Sequence, residues 1–241
     1  MKPAIFPLLA VAALPVHAEE HQPDPADLTQ TNTFIWAQAG NKDYTVTGGI
    51  AGSLTSKFNY LGLFEHSRSW KRDTGNANDS TRARLFGTQD VNWGAISKVG
   101  ASVDYIKGHN DTPLDTLAVG AIAKVETGLD WLALYPNLAY VELSARDSQI
   151  KNKSKGYQAN LFASIYLDES GQYLMLQPQY TSTEYIDVKK MEVSYGLPLS
   201  ESGKLWADIK LGYTRTSGKK ALSKAAFDSD KQVKAGVSYY F

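Results

Sequence analysis

Along most of the chain, apolar residues recur at every second position, in segments of about ten residues separated by turn-forming residues. In 205–213, Leu205, Ala207, Ile209, Leu211 and Tyr213 fall on one face, while Trp206, Asp208, Lys210 and Gly212 fall on the other. The same alternation runs through Met191, Val193, Tyr195, Leu197 and Leu199. It runs again through Leu117, Val119, Ala121, Ala123 and Val125, set against Gly120, Lys124 and Glu126. A period of two is the signature of strands with one apolar and one polar face. The segments predict strands at 33–40, 44–55, 59–70, 81–92, 96–107, 116–128, 138–148, 157–167, 173–184, 189–199, 204–215 and 231–241, about twelve and an even number.

The connections set the topology. Glu169-Ser170-Gly171 and Glu201-Ser202-Gly203 are the same short turn, with glycine supplying the left-handed backbone, and one hairpin per repeat implies an up-and-down meander. The links at 72–80, 109–115, 151–156 and 217–230 are longer and more polar. Short turns on one rim and long loops on the other are the arrangement of barrels that cross an outer membrane. A soluble β-sandwich or a lipocalin-like barrel has the same period with its apolar face turned inward. Charges at mid-strand on the polar faces favour the membrane version. So do aromatics near strand ends, Trp93, Trp131, Tyr135 and Trp206 by the short turns and Trp70, Tyr105, Tyr157 and Tyr213 toward the loops. The expected fold is all-β, a closed antiparallel up-and-down transmembrane β-barrel of about twelve strands over 32–241.

Two segments precede it. Residues 1–18, with Lys2 ahead of an apolar stretch from Ala4 to Val16 and the small-residue site Val16-His17-Ala18, read as a secretory signal peptide. Residues 19–31 have no periodicity and two prolines, which predicts a flexible periplasmic tail outside the fold. Composition narrows the remaining classes. The 241 residues include no cysteine, which excludes disulfides and thiolate metal sites. Lys+Arg 25 against Asp+Glu 25 gives no sign of a nucleic-acid partner. No apolar run after the signal region is long enough for a helical membrane span.

The final segment, Val233-Lys-Ala-Gly-Val-Ser-Tyr-Tyr-Phe241, places Val233, Ala235, Val237, Tyr239 and Phe241 on one face. It resembles the C-terminal signature of Gram-negative outer-membrane β-barrel proteins, an alternating aromatic strand ending in Phe. The resemblance implies that Tyr239 and Phe241 form an assembly signal read by the barrel-assembly machinery. It also implies that the protein sits in the bacterial outer membrane among lipid and lipopolysaccharide, and that it is similar to small monomeric porin-like channels of about twelve strands.

With the apolar faces toward lipid, the opposite faces line the lumen. The expected pore-lining residues are Arg82, Arg84, Lys98, Asp104, Lys124, Glu126, Glu142, Arg146, Lys190, Glu192, Asp208 and Lys210, joined by Glu65, Asp90, Asp130 and Lys234. The two signs balance, and Lys124 with Glu126 and Asp208 with Lys210 share a face at i and i+2. Such a lumen is either a water-filled pore with opposed charges or a plugged salt-bridge network. Small lumen-face residues, Gly100, Ser102, Gly120 and Gly196, favour the open form. The expected function is passive diffusion of small hydrophilic solutes. The alternatives are a non-transporting structural or surface-interaction barrel and a rim enzyme. An enzyme would need a base beside a nucleophile, and after the signal region the histidines are His21, His66 and His109, in no recognisable catalytic pattern. No catalytic residue, metal or cofactor is expected, since the Asp73–Asp79 loop lacks the spacing of a calcium loop. The loop lysines Lys151, Lys153, Lys155, Lys219, Lys220 and Lys224 are candidate contacts for lipopolysaccharide.

Overall fold

The computed structural model describes residues 22–70, 79–109, 114–145, 153–220 and 229–241. Twelve strands follow in order: β1 (Phe34–Gly40), β2 (Asp43–Thr55), β3 (Phe58–Ser69), β4 (Ser80–Trp93), β5 (Ile96–Gly108), β6 (Leu114–Glu126), β7 (Leu132–Ala145), β8 (Ser154–Tyr166), β9 (Tyr173–Thr183), β10 (Ile186–Pro198), β11 (Leu205–Gly218) and β12 (Asp230–Tyr240). Each pairs antiparallel with its chain neighbours. β1 also pairs with β12, from Phe34 opposite Tyr240 to Gly40 opposite Lys234, and this closes the ring and removes both sheet edges.

The strands fall within a few residues of the expected ranges except β7, which begins at Leu132 rather than near 138. The reason is Pro136. Proline removes one ladder donor and is disfavoured inside a sheet, yet only one side of the strand is affected. Pairing with β8 runs on through Pro136 opposite Leu161, while pairing with β6 skips from Ile122–Asn137 to Val125–Leu134.

The apolar faces point outward. Ile209, Leu211, Leu138 and Val237 are among the many large apolar side chains left exposed, and a contiguous apolar belt on a closed barrel requires lipid around it. Trp70, Tyr105, Tyr157 and Tyr213 stand on the outside near the loop rim, with Trp93 and Trp131 near the short-turn rim, as a two-girdle barrel requires. Tyr135 and Trp206, expected in the lower girdle, instead point into the barrel and are buried. In the lower rim, Gly171 (φ 88°) and Gly203 (φ 64°) occupy the left-handed positions of the two repeated turns.

The inward turn of Tyr135 and Trp206 has a partner. Residues 22–31, expected as part of a flexible tail outside the fold, enter the lower end of the barrel. Ala26 and Thr29 are fully buried there. Ala26 packs in one cluster with Tyr173, Met175 and Trp206. Leu28 packs against both that cluster and a second one of Phe86, Ile122, Ala133 and Tyr135. The segment is held in shape by two successive Asx turns: Asp24 Oδ1 accepts from the Ala26 amide at 2.9 Å and Asp27 Oδ1 from the Thr29 amide at 2.8 Å. The signal region, residues 1–18, lies outside the described residues.

Candidate functional site: the barrel lumen

The inward faces enclose a cavity of about 640 Å³. Of the residues expected there, Arg82, Arg84, Asp104, Lys190, Glu192, Asp208 and Lys210 line it, as do Glu65 and Lys234. Strands β4 and β10 are six steps apart in a ring of twelve, so the charges form two groups on opposite walls.

On the first wall, the Arg82 guanidinium holds the Asp104 carboxylate in a two-pronged contact, its Nε donating to Oδ1 at 2.8 Å. Arg84 is more loosely engaged. Its Nη2 lies 3.4 Å from Ser102 Oγ, its Nε lies 3.9 Å from Asp104, and the guanidinium sits 5.5 Å above the Phe86 ring. On the second wall, Lys190 pairs with Glu192, and Lys210 lies 4.0 Å from the same carboxylate and 5.1 Å above the Trp36 ring. Asp208 accepts from Trp36 Nε1 at 2.7 Å and Gln38 Nε2 at 2.9 Å. Lys234 reaches Asp43 at 2.8 Å and donates to Thr45 Oγ1 at 3.0 Å. Each wall therefore carries both signs.

Neutral polar side chains connect the walls through β7, β8 and β9. Asn160 donates to Asn137 at 2.7 Å, and both Gln179 and Thr181 donate to Gln158 Oε1. The alternation that placed the charges also places these amides inward, but counting formal charges alone passes over them. Two expected small lumen residues also change meaning. A Cβ on Gly196 would lie 2.2 Å from the Tyr173 ring, and one on Gly100 would lie 2.9 Å from Phe86. These glycines seat aromatic rings rather than widening the lumen.

The other expected lining residues lie elsewhere. Lys124 is inside but at the lower end, bound to Asp27. Lys98 and Glu126 share the inward side near the short-turn rim, where Lys98 lies 3.5 Å from Asp90 and Glu126 accepts from Ser97. Asp130 lies in the β6–β7 turn. Glu142 is not in the lumen. It shares a face with Leu138 and Tyr140, both exposed on the outer surface, and pairs with Lys153. Arg146 lies outside the described residues. Tyr239 faces outward on β12, and the ring of Phe241 packs edge-on against it at 5.2 Å. His66 and His109 share Thr81 Oγ1, at 3.2 and 2.8 Å, away from the cavity.

Residues 22–31 bound the cavity from below. Tyr166 donates its hydroxyl proton to Asp24 at 2.7 Å, Ser164 donates to the Ala26 carbonyl at 2.8 Å, and Lys124 Nζ lies 2.9 Å from Asp27 Oδ2. Burial pushes the Asp24 carboxyl above its ordinary value, more than the Tyr166 hydroxyl and the Ala26 amide draw it down. Burial acts on Asp27 in the same direction, but the Thr29 hydrogen bonds and the Lys124 charge outweigh it and hold Asp27 below its ordinary value. The sequence signal for this seat was present in Asp24-Pro25-Ala26-Asp27, which is turn chemistry rather than disorder.

An apolar outer belt, a closed ring of twelve strands and an inner cavity with charged and amide side chains in its wall define a membrane-spanning β-barrel with the fold of small outer-membrane channels. Solved structures agree on that fold. An outer-membrane channel from Pseudomonas putida F1 is similar with TM-score 0.60 and 12% identity, covering 91% of this chain and 100% of the other. The NanC porin matches with TM-score 0.56 and 7% identity over 87% and 100% of the two chains. The KdgM porin in complex with disordered oligogalacturonate matches with TM-score 0.55 and 10% identity over 88% and 99%. No family model and no curated protein matches the sequence.

Proposed function

We propose that the protein is a porin-like channel of the bacterial outer membrane, passing small hydrophilic solutes down their gradient without catalysis. The observation that carries this reading is the cavity of about 640 Å³ inside a closed barrel with an apolar exterior, with charged and amide side chains in its wall. Its wall offers ion pairs on two opposite sides and amide and hydroxyl groups between them. A solute can exchange water for these groups one at a time, which keeps binding weak enough for release. Because each wall holds both signs, the channel discriminates weakly between anions and cations. Residues 22–31 occupy the lower end of the cavity and partly block it there.

Residues 1–18 act as the export signal, and residues 32–241 as the barrel. Tyr239 and Phe241 mark the last strand for the assembly machinery. The loop rim faces the exterior, where lipopolysaccharide surrounds the barrel. Recording from the purified protein in planar bilayers tests the function. Small, stable unitary conductance with near-zero reversal potential in a salt gradient is expected. No conductance, either in the intact protein or after deletion of residues 22–31, would replace this reading with a structural barrel whose interior is filled for stability.

A further inference from the structure

On three adjacent strands the outward apolar column ends, at the loop rim, in a cation: Met191 is followed by Lys189 on β10, Tyr213 by Arg215 on β11, and Val233 by Lys231 on β12. All three cations are exposed. Lys189 stands directly opposite Arg215, and Lys231 stands opposite Tyr213, one outward step away. Like charges facing each other across a ladder are destabilising. Among the described residues, none of the three has an ion pair. The outward carboxylate next along β10, Asp187, is already engaged by Lys219 and by the Tyr180 hydroxyl. The loop lysines that the sequence offered as lipid contacts differ, since Lys153, Lys219 and Lys220 are paired with Glu142, Asp187 and Glu184.

Depth fixes what can meet the three cations. Arg215 is ten residues above Leu205 on β11; at ~3.4 Å per residue and a tilt of ~40° this is about 26 Å, the height of the apolar band of an outer-membrane barrel. The cations therefore sit at the outer headgroup level, with lipid-facing side chains directly beneath. We propose that Lys189, Arg215 and Lys231 form a binding site for a phosphorylated glycolipid of the outer leaflet, its phosphate between Lys189 and Arg215 and its acyl chains against Met191, Tyr213 and Val233. This deepens the outer-membrane reading above but is independent of whether the lumen conducts, so failure of one leaves the other measurable.

The test is native mass spectrometry of the full chain, exchanged into lipid-free detergent and titrated with a diphosphorylated acyl-glucosamine disaccharide, its dephosphorylated form, or inorganic phosphate. The wild type should bind the phosphorylated lipid. The triple variant Lys189→Gln, Arg215→Gln, Lys231→Gln should bind it on the order of 100-fold more weakly, each surface cation contributing roughly fivefold. The dephosphorylated lipid should bind the wild type as weakly as the triple variant binds the phosphorylated one, and Lys107→Gln, on a distant strand, should change nothing. Unboiled gel mobility reports folding; if the triple variant misfolds, Arg215→Gln alone should still lose about fivefold. Unchanged affinity in the folded variants, equal binding of the dephosphorylated lipid, or equal affinity for inorganic phosphate alone would overturn the proposal.

Discussion

Replacing Lys124 with Gln tests whether residues 22–31 set the conductance. The Lys124 and Asp27 side chains are 20% and 10% exposed, and their charged atoms are 2.9 Å apart. In Lys124→Gln, Asp27 keeps its Thr29 hydrogen bonds but loses its counter-charge at the floor of the cavity. Orphaning a fully buried charge costs about 3–5 kcal/mol, and reach of water from the cavity reduces this to about 2 kcal/mol. The population with the segment displaced should then rise about 30-fold. Asp27→Asn should do less, because Lys124 retains Glu126 at 3.8 Å and the new amide still accepts from Thr29. A loss of about 1 kcal/mol, or about fivefold, is expected. The double variant should resemble Asp27→Asn alone, since no carboxylate is left to be orphaned. The readout is the fraction of time spent in a larger conductance level in single-channel records, with unboiled gel mobility as the check on folding. A Lys124→Gln channel indistinguishable from wild type, or a double variant worse than Lys124→Gln, would refute the assignment of this pair as the hold on the segment.

The same segment gives a pH dependence with two limbs. Asp24 has a raised value when docked, so mild acidification should favour docking and lower the time at high conductance. Asp27 has a depressed value, so its contribution is present above the ordinary carboxylate range and is lost as the pH falls through its docked value, which reopens the channel. Asp24→Asn should remove the first limb and Asp27→Asn the second in records taken across that range. Changing Arg84 and Lys210 together to Gln should move the reversal potential in a salt gradient toward cation preference, while Glu142→Gln, on the outer face, should leave it unmoved. Deleting Phe241 should sharply lower the yield of heat-modifiable protein in outer-membrane fractions. Phe241 is 71% exposed, so a normal yield would show that the terminal Phe is not an assembly signal.

Strand number and sidedness were legible because a period of two leaves little ambiguity once turn chemistry brackets each segment. Glu142 fails as a lumen residue because charge alone does not mark the inner face. The parity is set by Leu138 and Tyr140, which face lipid, and Glu142 follows them outward, where Lys153 meets its charge. Tyr135 and Trp206 were misread for a related reason. Closeness to a rim identifies an aromatic belt only for outward positions, and Trp206 alternates with the outward Ile209 column on the inner face. Residues 22–31 carry no periodicity, so their place depends on contacts with Tyr166, Ser164 and Lys124, far away in sequence.

Charge pairing was the least legible feature, and the geometry of a sheet explains why. Residues at i and i+2 share a face about 6.6–7 Å apart, whereas Cβ atoms directly across a ladder are about 4.5–5.5 Å apart. Lys124 and Glu126 do approach along the strand, at 3.8 Å, but Lys124 is closer to Asp27. Asp208 and Lys210, expected to offset each other, turn to different partners: Asp208 to Trp36 and Gln38, Lys210 to Glu192. Lys210 stands directly opposite Lys234, a repulsive placement made tolerable because Glu192 and Asp43 lie beside the two amines. None of these partners can be assigned until the register between strands is known. That register depends on which residues form each turn, so a one-residue difference at Glu201-Ser202-Gly203 would move Lys210 away from Glu192.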